Sequence, residues 1–278
     1  PAVGLVPAAF FTQKEGFMKK IFISDLDGTL LTDDKKITDN TLSIIKTLRD
    51  QGHMVAIATG RPYPSSIGTI PNLKEIFDFA IFNHGANIHD FKDNTIHDQF
   101  PLSSEIVSQI IKDYRPLGAN PILFNGSTMF ADFENNYTSR VSDFLNVQYT
   151  DVLTRVQETH EKIIFSAYGE TMDAIEAHAI KHPKTEYRVF KSQSELIEFT
   201  DPRINKWVGI EYYLNKYNLD PKSVITFGDN DNDIEMVANA HTGYAMENAT
   251  DAVKASTTFH AKSNNDEGVY EILKTFVK

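Results

Sequence analysis

The amino-acid sequence predicts an α/β fold in which a parallel β-sheet with crossover helices is interrupted by an inserted α+β unit. Short apolar, β-rich runs alternate with helical stretches between residues 21 and 82, which is typical of parallel strands joined by helices. The same alternation returns from residue 224 onward, so both ends of the chain are expected to share one sheet. Between about residues 87 and 199 the pattern changes to strand pairs that flank helices, which indicates a separate unit.

Each element of the first half has a local signal. A helix is predicted over residues 38–51, because Thr38 is a suitable N-terminal cap and apolar residues then recur at three-residue spacing. Gly52 is expected to end this helix. The strands of this half are predicted at residues 21–24, 53–58 and 77–82.

The second half also alternates strands and helices. Strands are predicted at 224–227 and 243–246, and helices at 206–218, at 231–239 and from Asp266. In the middle unit, residues 121–124 and 128–131 read as a hairpin, since Asn125-Gly126 between them is a common turn sequence.

Composition excludes several classes of protein. The 278 residues carry a net charge of −11 and no dense Lys/Arg run, which argues against a nucleic-acid or anionic-membrane partner. No cysteine is present, so a disulfide framework and a thiolate metal site are both impossible, and a cytoplasmic location is expected. No apolar run reaches the ~18–20 residues of a transmembrane helix.

The first 17 residues are set apart from the fold. Their apolar stretch is broken by Pro7, and Met18 with the lysines after it resembles a native start. We interpret residues 1–17 as a vector remnant or, alternatively, a disordered native leader.

The segment Asp25-Leu26-Asp27-Gly28-Thr29 directly follows the apolar run 21–24. Residues two apart in an extended chain point the same way, so both carboxylates are expected to leave the strand on one side. Two neighbouring carboxylates repel each other unless a positive charge lies close, and a divalent cation is the usual solution. The alternative is an ordinary solvated turn, which Asp and Gly also favour.

Two weaker signals concern phosphate. Thr59-Gly60-Arg61 follows the apolar run 55–58, and a hydroxyl with glycine amides at the carboxyl end of a parallel strand can hold phosphate oxygens. Arg61 is equally suited to a surface ion pair. Lys206 opens the apolar helix 206–218, where a lysine is more commonly a surface residue.

An acidic segment, Gly228-Asp229-Asn230-Asp231-Asn232-Asp233, follows the predicted strand 224–227. It is not an EF-hand loop, because the sixth and twelfth positions counted from Asp229 are Ile234 and Ala240 instead of glycine and glutamate. Its hard oxygen ligands at a strand end suit magnesium. Some of these residues are also expected to begin the following helix.

These four elements, in this order, resemble the four motifs of the haloacid dehalogenase-like superfamily of phosphohydrolases, most closely its Cof-type group (subfamily IIB), which carries a large α/β cap. The segments 232–236, 245–249 and 263–269 are similar to the C-terminal signature of that group. The resemblance extends over nearly everything from Met18 onward and implies a Rossmann-like core at 18–86 and 200–278, with a substrate-selecting cap at 87–199.

The resemblance implies a role for each acidic residue. Asp25 would be the nucleophile and a metal ligand, and Asp27 the general acid and base, with its backbone carbonyl also on the metal. Asp229 would complete the protein ligands of Mg²⁺, and Asp233 would support the metal site.

A second group of residues would hold the phosphate. The resemblance assigns this role to the Leu26 amide, Thr59, Gly60, Lys206 and Asn232. A raised pKa of Asp27 would help it to serve as both acid and base.

Two positions depart from the family pattern. His84 stands where an asparagine is expected before Gly85-Ala86, and Trp207 follows Lys206 where a glycine is common. His84 is expected either to contact substrate or to solvate a hinge. The other histidines, such as those at 89, 97 and 178, lack ligand spacing and are interpreted as surface residues.

The predicted function is Mg²⁺-dependent hydrolysis of small phosphorylated metabolites, either sugar phosphates or phosphorylated cofactors. Two alternatives stay open: a phosphotransferase or mutase with the same aspartyl-phosphate, and a non-catalytic regulator that keeps the fold. Asn125 and Arg140 are guesses for specificity residues in the cap. The sequence does not decide between Mg²⁺ and Mn²⁺, and it does not determine the oligomeric state.

Overall fold

The computed structural model describes residues 19–126, 128–143 and 145–278. The predicted leader at 1–17 lies outside these residues. Within them the chain forms two main sheets, here called the large sheet and the small sheet, and one two-stranded pair. No described helix is long and apolar enough to cross a membrane; the cytoplasmic location stays a prediction.

The large sheet confirms the predicted α/β architecture. Its eight strands lie in the order β16-β15-β14-β1-β2-β3-β4-β5. Neighbours from β16 to β3 are parallel, whereas β4 and β5 are added antiparallel at one edge. The strands are β1 (Ile21–Ser24), β2 (Met54–Ala58), β3 (Phe79–Phe82), β4 (Asn87–Asp90), β5 (Thr95–Asp98), β14 (Val224–Gly228), β15 (Thr242–Met246) and β16 (Phe259–Ala261).

The small sheet is formed by the middle of the chain, in the order β12-β13-β11-β7-β8-β9. Its strands are β7 (Asn120–Asn125), β8 (Thr128–Ala131), β9 (Asn146–Tyr149), β11 (Ile163–Ser166), β12 (Arg188–Gln193) and β13 (Leu196–Thr200), while β6 (Leu102–Ser103) pairs with β10 (Thr159–His160). The predicted hairpin is present, since β7 pairs antiparallel with β8. Gly126 in its turn has a φ of +58°, which glycine adopts without strain.

Helices cover both sheets. They are α1 (Asp39–Asp50), α2 (Tyr63–Thr69), α3 (Leu73–Ile76), α4 (Ser104–Tyr114), α5 (Asn136–Val141), α6 (Glu170–Lys181), α7 (Lys206–Tyr217), α8 (Ile234–Asn239), α9 (Asp251–Ala255) and α10 (Gly268–Leu273). Helix α1 begins as predicted, because the Thr38 side chain accepts a hydrogen bond from the Thr41 amide. Gly52 follows with a φ of +88°, the left-handed conformation that ends helices.

Two apolar layers hold the large sheet. Successive residues of a strand point to opposite faces, and Phe22 belongs to one buried cluster while Ile21 and Ile23 belong to another. Helix α7 contributes Ile210 and Tyr213 to the second cluster. The small sheet has separate clusters of its own, so each sheet is packed around its own core.

The large sheet reaches further along the chain than the sequence indicated. The sequence assigns residues 87–199 to the middle unit, and β4 and β5 lie within this range. Instead Asn87 pairs with Phe82 and Asp90 with Phe79, because the chain turns back directly after β3 and satisfies its backbone antiparallel to that strand. The change of sheet therefore comes after Asp98.

Two helix boundaries differ from the sequence prediction. The stretch predicted as one helix over 231–239 begins with a 3₁₀ turn at Asp231–Asp233 before α8, and the last helix begins at Gly268 instead of Asp266.

His89 is not a surface residue, although the sequence analysis predicted it to be one. It is buried, and its ring centroid lies 4.5 Å from that of Tyr63; burial lowers the pKa of His89 to about 4.

Candidate active site

The predicted site residues meet at the carboxyl edge of the large sheet. Asp25, Thr59 and Asp229 each directly follow a strand, respectively β1, β2 and β14. These strands are adjacent and parallel, in the order β14-β1-β2, so their carboxyl ends lie side by side. This edge is where open α/β sheets bind ligands.

Asp25 is buried beside a lysine. Its backbone amide donates to the Phe227 carbonyl at 3.0 Å, which joins the end of β1 to β14. Its Oδ1 accepts a hydrogen bond of 2.5 Å from Lys206 Nζ. Burial raises the pKa of Asp25 to about 8, although the Lys206 charge acts in the opposite direction. A carboxylate in this position needs further positive charge to stay ionised.

Lys206 supplies part of that charge. It is the first residue of α7, whose cap is Asn205, and it is completely buried. Its ammonium also donates to Asp233 Oδ1 at 2.5 Å. Burial alone would lower the pKa of Lys206, but the Asp233 and Asp25 carboxylates outweigh burial and raise it. Lys206 is therefore not at the surface, which is the more common place for a lysine that opens an apolar helix.

Three carboxylates form a cluster suited to a cation. Oxygens of Asp25, Asp229 and Asp233 lie within 4.8 Å of one another. Thr29 donates to Asp229 Oδ1 at 2.6 Å, while burial raises the pKa of Asp229 to about 6. Asp233 Oδ2 accepts from the backbone amides of Asp229 and Asn230, each at 3.0 Å. Hard oxygen ligands in this arrangement fit Mg²⁺.

The Asp27 carboxylate is not part of this cluster. Arg61 holds its carboxylate with two hydrogen bonds of 2.6 Å, from Nε and Nη2, and Lys35 Nζ adds a contact of 2.8 Å. Burial raises the pKa of Asp27, but these two cations lower it more, and the net shift is downward. The raised pKa that would help Asp27 to serve as both acid and base is therefore not found in this conformation. Any metal role of Asp27 would be left to its backbone carbonyl.

The segment Asp25–Thr29 passes so close to Asp229 that its fourth residue must be a glycine. Gly28 has a φ of +80°, and a Cβ there would lie 2.4 Å from Asp229 Oδ2. The turn after β1 therefore approaches the acidic segment too closely for any side chain.

The phosphate-binding loop predicted at Thr59, Gly60 and Arg61 is held from several sides. The Arg61 amide donates to Thr59 Oγ1 at 3.1 Å, and the His84 amide donates to the Thr59 carbonyl at 3.1 Å. A Cβ on Gly60 would lie 2.3 Å from Cε1 of His84. The glycine is thus needed where the loop passes under the imidazole.

His84 joins this loop to Asn232, as its Nδ1 lies 3.1 Å from Asn232 Nδ2. The ring also packs edge-on against Phe190 of the small sheet, with centroids 5.1 Å apart. Burial lowers the pKa of His84 to about 3, so the imidazole is neutral. Trp207, the second departure from the family pattern, packs partly buried against the apolar cluster under α7.

The small sheet contributes a buried ion pair that sequence reasoning missed. Lys162 Nζ donates to Glu198 Oε2 at 2.7 Å and to the Gly60 carbonyl at 3.1 Å. The sequence signal that could have found this pair is a charged residue next to, or inside, a mostly apolar strand. Lys162 directly precedes the strand Ile163–Ser166, and Glu198 lies inside the strand Leu196–Thr200.

The two residues guessed for specificity, Asn125 and Arg140, have different surroundings. Arg140 pairs with Glu195 at 2.6 Å, and 59% of its side chain is exposed. Asn125 lines a cavity of about 470 Å³ together with Pro62 and Asn83, which adjoin the phosphate-binding loop. The described residues that line this cavity do not include Asp25.

Comparison with known proteins decides the family. The model of the haloacid dehalogenase-like hydrolases matches residues 22–273. The chain belongs to this family. The resemblance seen in the sequence is therefore confirmed.

Relatives of this haloacid dehalogenase-like hydrolase are phosphatases by name. It is similar to the 5-amino-6-(5-phospho-D-ribitylamino)uracil phosphatase YitU of Bacillus subtilis, with 31% identity over 91% of this chain and 95% of that protein. The phosphatase YcsE of Bacillus subtilis, named for the same compound, is 25% identical over 95% of this chain and 98% of that protein. The chain is thus a haloacid dehalogenase-like phosphatase.

A solved structure shares the fold of this haloacid dehalogenase-like phosphatase. A haloacid dehalogenase-like hydrolase from Bacteroides thetaiotaomicron superposes with a TM-score of 0.83 at 22% identity, over 93% of this chain and 99% of that one. At this level of identity the likeness concerns the fold alone.

Proposed function

We propose that this phosphatase hydrolyses small phosphomonoesters with Mg²⁺, through an aspartyl-phosphate on Asp25. The main support is the contact of 2.5 Å between Asp25 and the buried Lys206 ammonium, next to the cluster with Asp229 and Asp233. A buried carboxylate flanked by a fixed cation and further metal ligands is suited to attack on phosphorus.

Charge explains why both cations are needed. A phosphate dianion that approaches Asp25 meets like charge, and the protein supplies one lysine against it. Mg²⁺ held by Asp25, Asp229 and the backbone carbonyl of Asp27, with Asp233 in support, would neutralise phosphate oxygens as a Lewis acid. Thr59, Gly60, Asn232 and the Leu26 amide would orient the same oxygens, a role that their resemblance to the family implies.

The reaction would have two balanced steps. An Asp25 oxygen bonds to phosphorus while the bond to the leaving oxygen breaks, and Asp27 gives that oxygen a proton. Water then attacks phosphorus, Asp27 takes its proton, and the bond between Asp25 and phosphorus breaks to release phosphate. Arg61 favours the ionised form of Asp27, which is the form that the second step requires.

The substrate class is proposed from the relatives. YitU and YcsE are both named for 5-amino-6-(5-phospho-D-ribitylamino)uracil, a polyhydroxylated phosphomonoester. We therefore place this compound first among the candidates, ahead of sugar phosphates and phosphorylated cofactors, and expect the reaction to take place in the cytoplasm.

The test is phosphate release from a panel of these compounds, with Mg²⁺ and with EDTA. Asp25→Asn should reduce turnover by a factor on the order of 10⁴ or more, whereas Asp143→Asn, at an exposed position far along the chain, should not. Activity of Asp25→Asn near that of the parent protein would rule out the nucleophile. Substrate conversion without free phosphate would point to a phosphotransferase.

A further inference from the structure

The buried ion pair of Lys162 and Glu198 connects the small sheet with the large sheet. Glu198 lies on β13 of the small sheet and Lys162 directly precedes β11. Only 4% and 6% of their side chains are exposed. Besides its bond to Glu198, the Lys162 ammonium donates a second hydrogen bond to the Gly60 carbonyl, at the edge of the large sheet.

A buried ion pair is weak evidence of added stability, because apolar residues of similar size often serve the core as well or better. The Glu198 carboxyl nevertheless stays ionised. Burial raises the pKa of Glu198, but the Lys162 charge outweighs it and the net shift is downward. Glu198 holds the Lys162 ammonium in place, and that ammonium donates to one backbone carbonyl of the phosphate-binding loop.

The three carbonyls of this loop have different partners. The Thr59 carbonyl accepts from the His84 amide and the Arg61 carbonyl from the Asn83 amide, each at 3.1 Å. Both donors belong to the turn between β3 and β4 of the large sheet. The middle carbonyl, that of Gly60, accepts from Lys162 of the small-sheet unit.

Orientation of the Gly60 carbonyl affects the hydroxyl of Thr59. A planar trans peptide points its carbonyl and its amide in opposite directions, so holding the Gly60 carbonyl also directs the Arg61 amide. That amide donates to Thr59 Oγ1 at 3.1 Å. The hydroxyl then accepts from within the loop and has its own hydrogen available for a phosphate oxygen.

We propose that Lys162 is a positioning residue for the phosphate-binding loop, so that the phosphate site is complete only when the small-sheet unit lies against the large sheet. The proposal rests on the proposed function and adds the link between the two units. Lys162 acts through Gly60 and not on the reacting atoms.

Kinetics of Lys162→Met in the full chain test this link. KM and the inhibition constant of inorganic phosphate should rise together by about tenfold, as expected for loss of a charge-assisted hydrogen bond, and by the same factor for p-nitrophenyl phosphate and for a sugar phosphate. Lys162→Arg should recover most of the loss. The control is Lys191→Met on β12, whose half-exposed side chain pairs with Glu176.

Amide hydrogen exchange gives a readout that does not need activity. The Arg61 amide should exchange faster in Lys162→Met than in the parent protein and in Lys191→Met. An unchanged exchange rate, an unchanged phosphate inhibition constant, or a loss confined to one substrate would overturn the positioning role. If the parent protein releases no phosphate, the proposed function fails, while the exchange experiment still decides the role of Lys162.

Discussion

Arg61 holds Asp27 in two parallel hydrogen bonds of 2.6 Å each. The two residues follow different strands of the large sheet, and paired planar groups of this kind are among the stronger polar contacts in proteins. The guanidinium thus sets both the direction and the ionisation of the carboxylate proposed as acid and base.

Arg61→Gln should therefore change the pH dependence of turnover. Burial raises the pKa of Asp27 and Arg61 lowers it, so the pKa should rise when the guanidinium is removed. The ionised form needed for attack by water is then lost at higher pH, so the acidic limb of the kcat profile should move upward. Lost orientation should also lower kcat by about tenfold.

Lys35→Gln is the matched control for that experiment. Lys35 contacts the same carboxylate, but 53% of its side chain is exposed, so solvent screens its charge and its removal should shift the limb less. An acidic limb in Arg61→Gln that stays in place or moves to lower pH would contradict the assignment.

Lys206→Met removes the buried charge and keeps much of the side-chain volume. Since Lys206 donates to both Asp25 and Asp233 at 2.5 Å, kcat/KM should fall by about 10²–10³. Lys46→Met, at an exposed position on α1, serves as the control. Steady-state kinetics equal to those of the parent protein would return Lys206 to a purely structural role.

Mg²⁺ should stabilise the protein in a pH-dependent way. A cation binds the ionised carboxylates, and burial raises the pKa of Asp25 to about 8 and that of Asp229 to about 6, so binding must release protons. Thermal melting should shift upward by about 5 °C when Mg²⁺ is a hundredfold above its dissociation constant. At one fixed Mg²⁺ concentration the shift should be larger at pH 8 than at pH 6, which are the pKa values of Asp25 and Asp229.

Asp229→Asn tests whether that shift comes from the proposed site. The variant removes one charged ligand of the cluster and should lose most of the Mg²⁺-dependent shift, while EDTA should reverse the shift in the parent protein. An equal shift in the parent and the variant would place the bound cation elsewhere.

His84→Asn should make stability less sensitive to acid. The folded protein holds the pKa of His84 at about 3 against an ordinary 6.5, so between these values the unfolded chain binds a proton that the folded chain does not. This linkage lowers the free energy of unfolding as pH falls, by up to about 1.4 kcal/mol per pH unit.

Chemical denaturation of the parent and His84→Asn across this pH range measures the effect. The variant should lose less stability than the parent as pH falls, whereas His241→Asn, at an exposed position, should behave like the parent. Parallel losses in all three proteins would show that His84 does not carry the linkage.

Sequence reasoning reached the site because its signals are local. Asp25, Thr59 and Asp229 each follow an apolar run, and parallel strands bring their carboxyl ends to one edge. It was wrong for His89, because alternation in Asn87–Asp90 does not reveal that the strand is covered on both faces. It also missed Lys162, whose partners Gly60 and Glu198 are distant along the chain.

The sequence by itself determined the α/β class, the order of the motifs and the family, since these depend on short-range periodicity and residue spacing. Only the tertiary structure decided which cation faces which carboxylate. Arg61 lowers the pKa of Asp27 while burial raises that of Asp25, although the two acids are only two residues apart. The physical reason is that charge and solvent exposure at a site come from side chains on different strands and different sheets, which packing alone brings together.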